Sequence, residues 1–112
     1  MHTKEDAVKI MHEVYHSCND LFPCGIQDAY LYGSYARGDY HPESDVDILL
    51  TVKMDWPEIA AYRKKVAHIA SKLSLEHDIT VSVSVNPLDL FVHHPDLPYY
   101  KNIRTEGIRY AG

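Results

Sequence analysis

The sequence predicts one domain of α/β or α+β class with a small sheet. Three observations carry this. Apolar residues recur at helical spacing in two segments, near residues 3–19 and 59–75. Two short apolar segments, 45–52 and 78–85, have the length and composition of strands. The resulting order is helix, strand, strand, helix, strand, helix, which calls for a sheet with helices packed on it. A length of 112 residues suits one such core and not two.

The elements follow in order. Thr3 and Asp6 form a helix-start signature, a hydroxyl N-cap with an acid in the first turn. Ala7, Ile10, Met11, Val14 and Cys18 then mark one buried face, so residues 3–19 read as an amphipathic helix. Phe22-Pro23-Cys24-Gly25 breaks the chain. Residues 27–32, QDAYLY, read as a short strand running into Gly33, and 38–44 is rich in turn residues. Residues 45–52, DVDILLTV, form an apolar strand with two acids at its start. Asp55 caps a second helix with Pro57 in its first turn, and Ile59, Tyr62, Val66, Ile69 and Leu73 carry it to about residue 75. Residues 78–85, DITVSVSV, alternate: Ile79, Val81, Val83 and Val85 on one face, Asp78, Thr80, Ser82 and Ser84 on the other. The remaining tail reads as irregular, with a short helix over 98–106 ending at Gly107.

Composition narrows the function classes. The net charge is −5, and the 11 Lys and Arg residues are scattered, with Arg63-Lys64-Lys65 the longest cluster. A protein that grips nucleic acid through its phosphates shows a basic stripe, so DNA or RNA is not the expected main partner. The sequence has no apolar run long enough to span a membrane and no secretory h-region near its start. Cys18 and Cys24 lack a framework pattern and read as free thiols of a reducing cytosol.

The segment 33–50, GSYARGDYHPESDVDILL, carries the chemistry. Asp45 and Asp47 lie two apart on a strand, so both carboxylates share a face about 7 Å apart. Paired carboxylates repel unless they are solvated or bridged by a cation. Mg²⁺ prefers such oxygen ligands. By itself the pattern fits two solvated acids as well as a metal pair. Gly33 lets backbone approach a ligand closely, and Ser34 can meet a phosphate if it opens a short helix; a plain strand-ending turn is the other reading. Arg37 either reaches a phosphate or pairs with Asp39. HEVYH, residues 12–16, matches the H-E-x-x-H zinc pattern. His12 and His16 fall on the face away from the buried stripe, with no cleft and no third ligand, so a metalloprotease reading is rejected.

Gly33-Ser34, ten residues, then Asp45-x-Asp47 resembles the signature of the nucleotidyltransferase superfamily related to DNA polymerase beta. The surrounding segment and the ending YYKNIRTEGIRY are similar to the minimal nucleotidyltransferases, its small single-domain members. The resemblance implies a nucleotidyltransferase fold over residues 1–112, a small mixed sheet flanked by helices. It implies that Gly33 and Ser34 hold the triphosphate of ATP, with Arg37 the candidate nucleotide-binding cation beside them, and that Asp45 and Asp47 bind Mg²⁺. It implies a third carboxylate on the neighbouring strand, where Asp78 is the one acid on the polar face, at the strand's start. It further implies transfer of AMP to an acceptor hydroxyl, a tyrosine of a HEPN-domain toxin for which this chain is the cytoplasmic antitoxin. A chain this short takes its acceptor from a partner or by self-association into a homo-oligomer. If Asp78 is out of reach, the alternative is a weak or inactive module of the same fold that neutralises or scaffolds a partner.

Overall fold

The computed structural model describes residues 2–111. Helix α1, Lys4–Asn19, is closed by a capping box between Thr3 and Asp6. Strand β1, Asp28–Tyr32, leads into a single helical turn, α2, Ser34–Arg37. Strand β2 is Val46–Val52. Helices α3, Trp56–Ala60, and α4, Arg63–His77, precede strand β3, Val81–Pro87. The tail holds α5, Leu88–His93, α6, Pro98–Glu106, and the two-residue strand β4, Ile108–Arg109.

The sheet is mixed, in the order β3-β2-β1-β4. β1 pairs antiparallel with β2 and β4, and β2 pairs parallel with β3. A parallel pair needs a long crossover, and α3 and α4 supply it. α1 and α4 cover one face, burying Ile10, Met11, Val14, Val66 and Leu73 against Leu31, Val46, Ile48 and Leu50. The second face is only partly covered: Leu49 packs with Phe91 of α5 and with Tyr100 and Ile103 of α6. β2 is therefore buried on both sides over most of its length, which is why its sequence is almost continuously apolar.

Three boundaries depart from the sequence reading. The helix expected through residue 75 is two helices, turned at Ala61–Tyr62, where Tyr62 packs its ring 5.0 Å from that of Phe22. The strand expected at 78–85 starts at Val81. α4 runs on to His77, Asp78 is left-handed at φ 52°, and the Ser74 hydroxyl accepts from the Val81 N–H at 2.9 Å, so residues 78–80 are spent on the turn. Ordered pieces α5 and β4 replace parts of the tail read as irregular; α6 falls where the helix over 98–106 was expected.

Candidate functional site

The site is built on the open end of β2. Asp47 stands level with Tyr32 of β1 and Ser82 of β3, so all three side chains share a face. Asp45 lies two residues earlier, just before the strand; the Val46 N–H donates to Thr80 O at 2.9 Å and holds this stretch in ladder geometry. Asp45 is exposed and Asp47 is partly buried. Burial raises the Asp47 carboxyl above the usual carboxylate range, the charge of Asp45 raises it further, and Arg37 pulls the other way. An elevated carboxyl beside a second carboxylate is a site that gains by receiving a cation.

Gly33 explains why the turn precedes this strand. Its φ is 78°, left-handed backbone in which side chains are strained. A Cβ built there would run into Asp47 Oδ2. Glycine thus brings the backbone at the end of β1 directly onto the carboxylate. The next residue, Ser34, opens α2. Gly33, Ser34, Arg37 and Asp47 line one cavity of about 400 Å³. Its other walls are residues that sequence reasoning did not assign to the site: Tyr32, and Tyr99, Asn102 and Glu106 of α6. Their spacing of three and four marks one helix face, but nothing local said that this face meets the Gly-Ser turn.

Arg37 is already paired. Its Nε donates to Asp39 Oδ2 at 3.2 Å and its Nη1 to Glu106 Oε2 at 3.5 Å. The second contact ties α2 to the end of α6 across the cavity. α6 is itself fixed by Arg104, whose guanidinium lies 3.8 Å from the centre of the Phe91 ring and donates to Phe91 O.

Asp78 is placed elsewhere. It caps α4 and lines a second cavity of about 350 Å³ with Asp45 and Thr80, not the cavity of Asp47. The β3 residues level with Asp47 and Leu49 are Ser82 and Ser84. Among the described residues, no group of three or more His, Cys, Asp and Glu side chains is placed to share a metal ion. Asp45 and Asp47 fall on one side of the strand but line different cavities, Asp47 that of Gly33 and Asp45 that of Asp78. The repulsion between them is of the kind that a hard, oxygen-seeking cation relieves. The H-E-x-x-H histidines are otherwise engaged: His12 packs edge-on against Tyr110 at 4.7 Å, and His16 Nε2 lies 3.3 Å from the Tyr110 hydroxyl. Both cysteines are free; Cys18 is buried, which pushes its thiol up to about 11. No helix among the described residues is long and apolar enough to cross a membrane.

Comparison with known proteins agrees with this geometry. The nucleotidyltransferase domain family matches residues 12–110. A protein of Methanocaldococcus jannaschii named as a candidate protein adenylyltransferase is 38% identical over 77 residues, covering 69% of this chain and 76% of its own length. In fold, the chain is similar to a crystal structure described as a toxin–antitoxin with AMP-PNP, at TM-score 0.57 and 24% identity, over 91% of this chain and 73% of the other. It is also similar to a structure of the tri-AMPylated Shewanella oneidensis HEPN toxin in complex with an MNT antitoxin, at TM-score 0.52 and 20% identity, over 98% of this chain and 73% of the other. A glycine turn driven onto the second acid of an Asp-x-Asp strand, in a chain matched almost from end to end, gives the conclusion: this protein belongs to the nucleotidyltransferase domain family.

Proposed function

We propose that the chain is a Mg²⁺-dependent transferase that moves AMP from ATP to a tyrosine hydroxyl of a HEPN-domain partner in the cytoplasm, acting as that partner's antitoxin. The observation that supports this is the close approach of the Gly33 backbone to the Asp47 carboxylate, in one cavity with Ser34 and Arg37. The related protein named for adenylyl transfer and the fold neighbour with a HEPN toxin supply the acceptor class.

In this reading Asp45 and Asp47 would hold Mg²⁺, which would supply charge neutralisation to the triphosphate. Gly33 and Ser34 bind the phosphates by close backbone approach and a hydroxyl. Arg37, held at the cavity mouth by Asp39 and Glu106, contributes positive charge beside them. The acceptor oxygen attacks the α-phosphorus, the bond to pyrophosphate breaks, and AMP becomes attached to the tyrosine. Ser82 and Ser84 take up no proton at neutral pH, so the acceptor's proton leaves to water or to a base that the acceptor brings. Asp78 lines the cavity of Asp45 and not that of Asp47, so it takes no metal-holding part in this reading.

One observation favours a second reading. No acid on β3 stands beside Asp47, so a chain that binds nucleotide and partner without turning over is a coherent alternative. One experiment separates the two. The protein, Mg²⁺ and α-labelled ATP are incubated with an extract of the source cells, beside an Asp45→Asn/Asp47→Asn control. A labelled protein band that the control lacks establishes the transferase. A stable partner complex with no label in any band establishes the binding module.

A further inference from the structure

We propose that one face of α6 selects the nucleoside, with Asn102 reading adenine at the base edge and Tyr99 supplying the surface on which the base stacks. This rests on the reading of Gly33, Ser34 and Asp47 as the triphosphate end of an ATP site, and it names the side chains that would choose the base.

The cavity has two unlike walls. One is Gly33, Ser34 and Asp47, small and polar. The other is the stripe of α6 formed by Tyr99, Asn102 and Glu106. A nucleotide whose phosphates occupy the first wall puts its nucleoside against the second. A cavity of about 400 Å³ is in the size range of small-ligand sites.

The second wall has the chemistry for a base. Tyr99 is 40% exposed, yet its side chain is held in place. Its hydroxyl lies 3.0 Å from that of Tyr32, and the two rings meet at 90° with centres 5.6 Å apart. A tethered ring with an open surface stacks a base without first having to be ordered. Stacking of this kind accepts any base, so the choice falls to a hydrogen-bonding group. Asn102 lies three residues further along the same face and is exposed. Its amide presents an acceptor and a donor in one plane. That pair is complementary to the N6 amino group and N7 of adenine. Guanine offers two acceptors, O6 and N7, along the same edge, and leaves the Asn102 carbonyl without a donor. Glu106, a further turn on, is occupied by Arg37 and bounds the cavity at that end.

The test is titration calorimetry on the full chain with Mg²⁺-ATP, Mg²⁺-GTP and inorganic tripolyphosphate. The wild type should bind ATP about tenfold tighter than GTP. Asn102→Ala should bring ATP down to the GTP level and leave GTP and tripolyphosphate unchanged. Tyr99→Ala should weaken both nucleotides by a similar factor, whereas Tyr99→Phe, which keeps the ring, should retain most of the stacking. Asn102 is an exposed helical position where alanine is favoured, so the variant folds. An unchanged ATP-to-GTP ratio in Asn102→Ala, with tripolyphosphate still bound, overturns this inference and leaves the proposed function standing. A wild-type chain that binds neither nucleotide nor tripolyphosphate overturns both.

Discussion

The two faces of the sheet are built from the same strands and serve opposite ends. Ile48 and Leu50 point to the side closed by α1 and α4 and are fully buried. Asp47 and Leu49, interleaved with them, point to the other side, where one is a partly exposed carboxylate and the other lies under α5 and α6. The closed face gains free energy from every side chain it removes from water. The open face gives some of it up, because it holds a half-desolvated charge beside a second one. The core and the candidate site are thus separated by one residue step along a single strand.

Substitutions at neighbouring positions should sharpen that division. Asp47→Asn should cut transfer by a hundredfold or more in the labelling assay, the scale lost when a preorganised electrostatic contact is removed. Gly33→Ala should act alike, because the new methyl meets the Asp47 carboxylate; undiminished transfer in Gly33→Ala would break the link between the turn and the acid. Leu50→Ala should cost about 2–5 kcal/mol in urea unfolding, and nucleotide affinity of the folded fraction should survive.

A smaller effect has the opposite sign. The Asp47 carboxyl is raised in the folded chain above its ordinary 3.8. The folded state therefore holds a proton that the unfolded chain has released, and this group's contribution falls as pH climbs from 3.8 through the raised value. Asp47→Asn should remove that loss and raise the urea midpoint at pH 7 without Mg²⁺; a midpoint that drops instead would mean the carboxylate is stabilising and the comparison is wrong. The smallest effect belongs to Arg109→Ala, which removes the solvent-screened ion pair of β4 with Asp28 on the open face and should lower the urea midpoint only slightly, read by the same unfolding curves.

How far the sequence could be read follows the same division. α1 was legible from Thr3, Asp6 and a stripe of five apolar residues, because periodicity reports burial directly. Gly33, Ser34, Asp45 and Asp47 could be named as candidates because their spacing lies within one stretch of chain; three of them line one cavity, and Asp45 faces the neighbouring one. Asp78 was misplaced on a strand because the alternation of 78–85 continues past the point where the Ser74 hydroxyl and a left-handed residue hold the chain in a turn. Tyr99, Asn102 and Glu106 were out of reach for another reason. The pairing of Glu106 with Arg37 spans 69 residues, and no local pattern encodes which helix face a distant turn will meet.

That span has a kinetic consequence. The two acids and the glycine turn are brought together by the β1–β2 pair, whose connection is the thirteen residues between Tyr32 and Val46. Closing a loop of that size takes well under a microsecond. The α6 wall, by contrast, arrives only after the crossover has set β3 beside β2 and the tail has come back over the sheet. The half of the cavity formed by the glycine turn and Asp47, to which we assign the phosphates, is a short-range product of the folding chain, and the half that meets α6 is among its last. A nucleotide that needs both halves should bind the finished fold and none of its precursors, so ATP in a refolding experiment should slow unfolding and leave the folding rate unchanged.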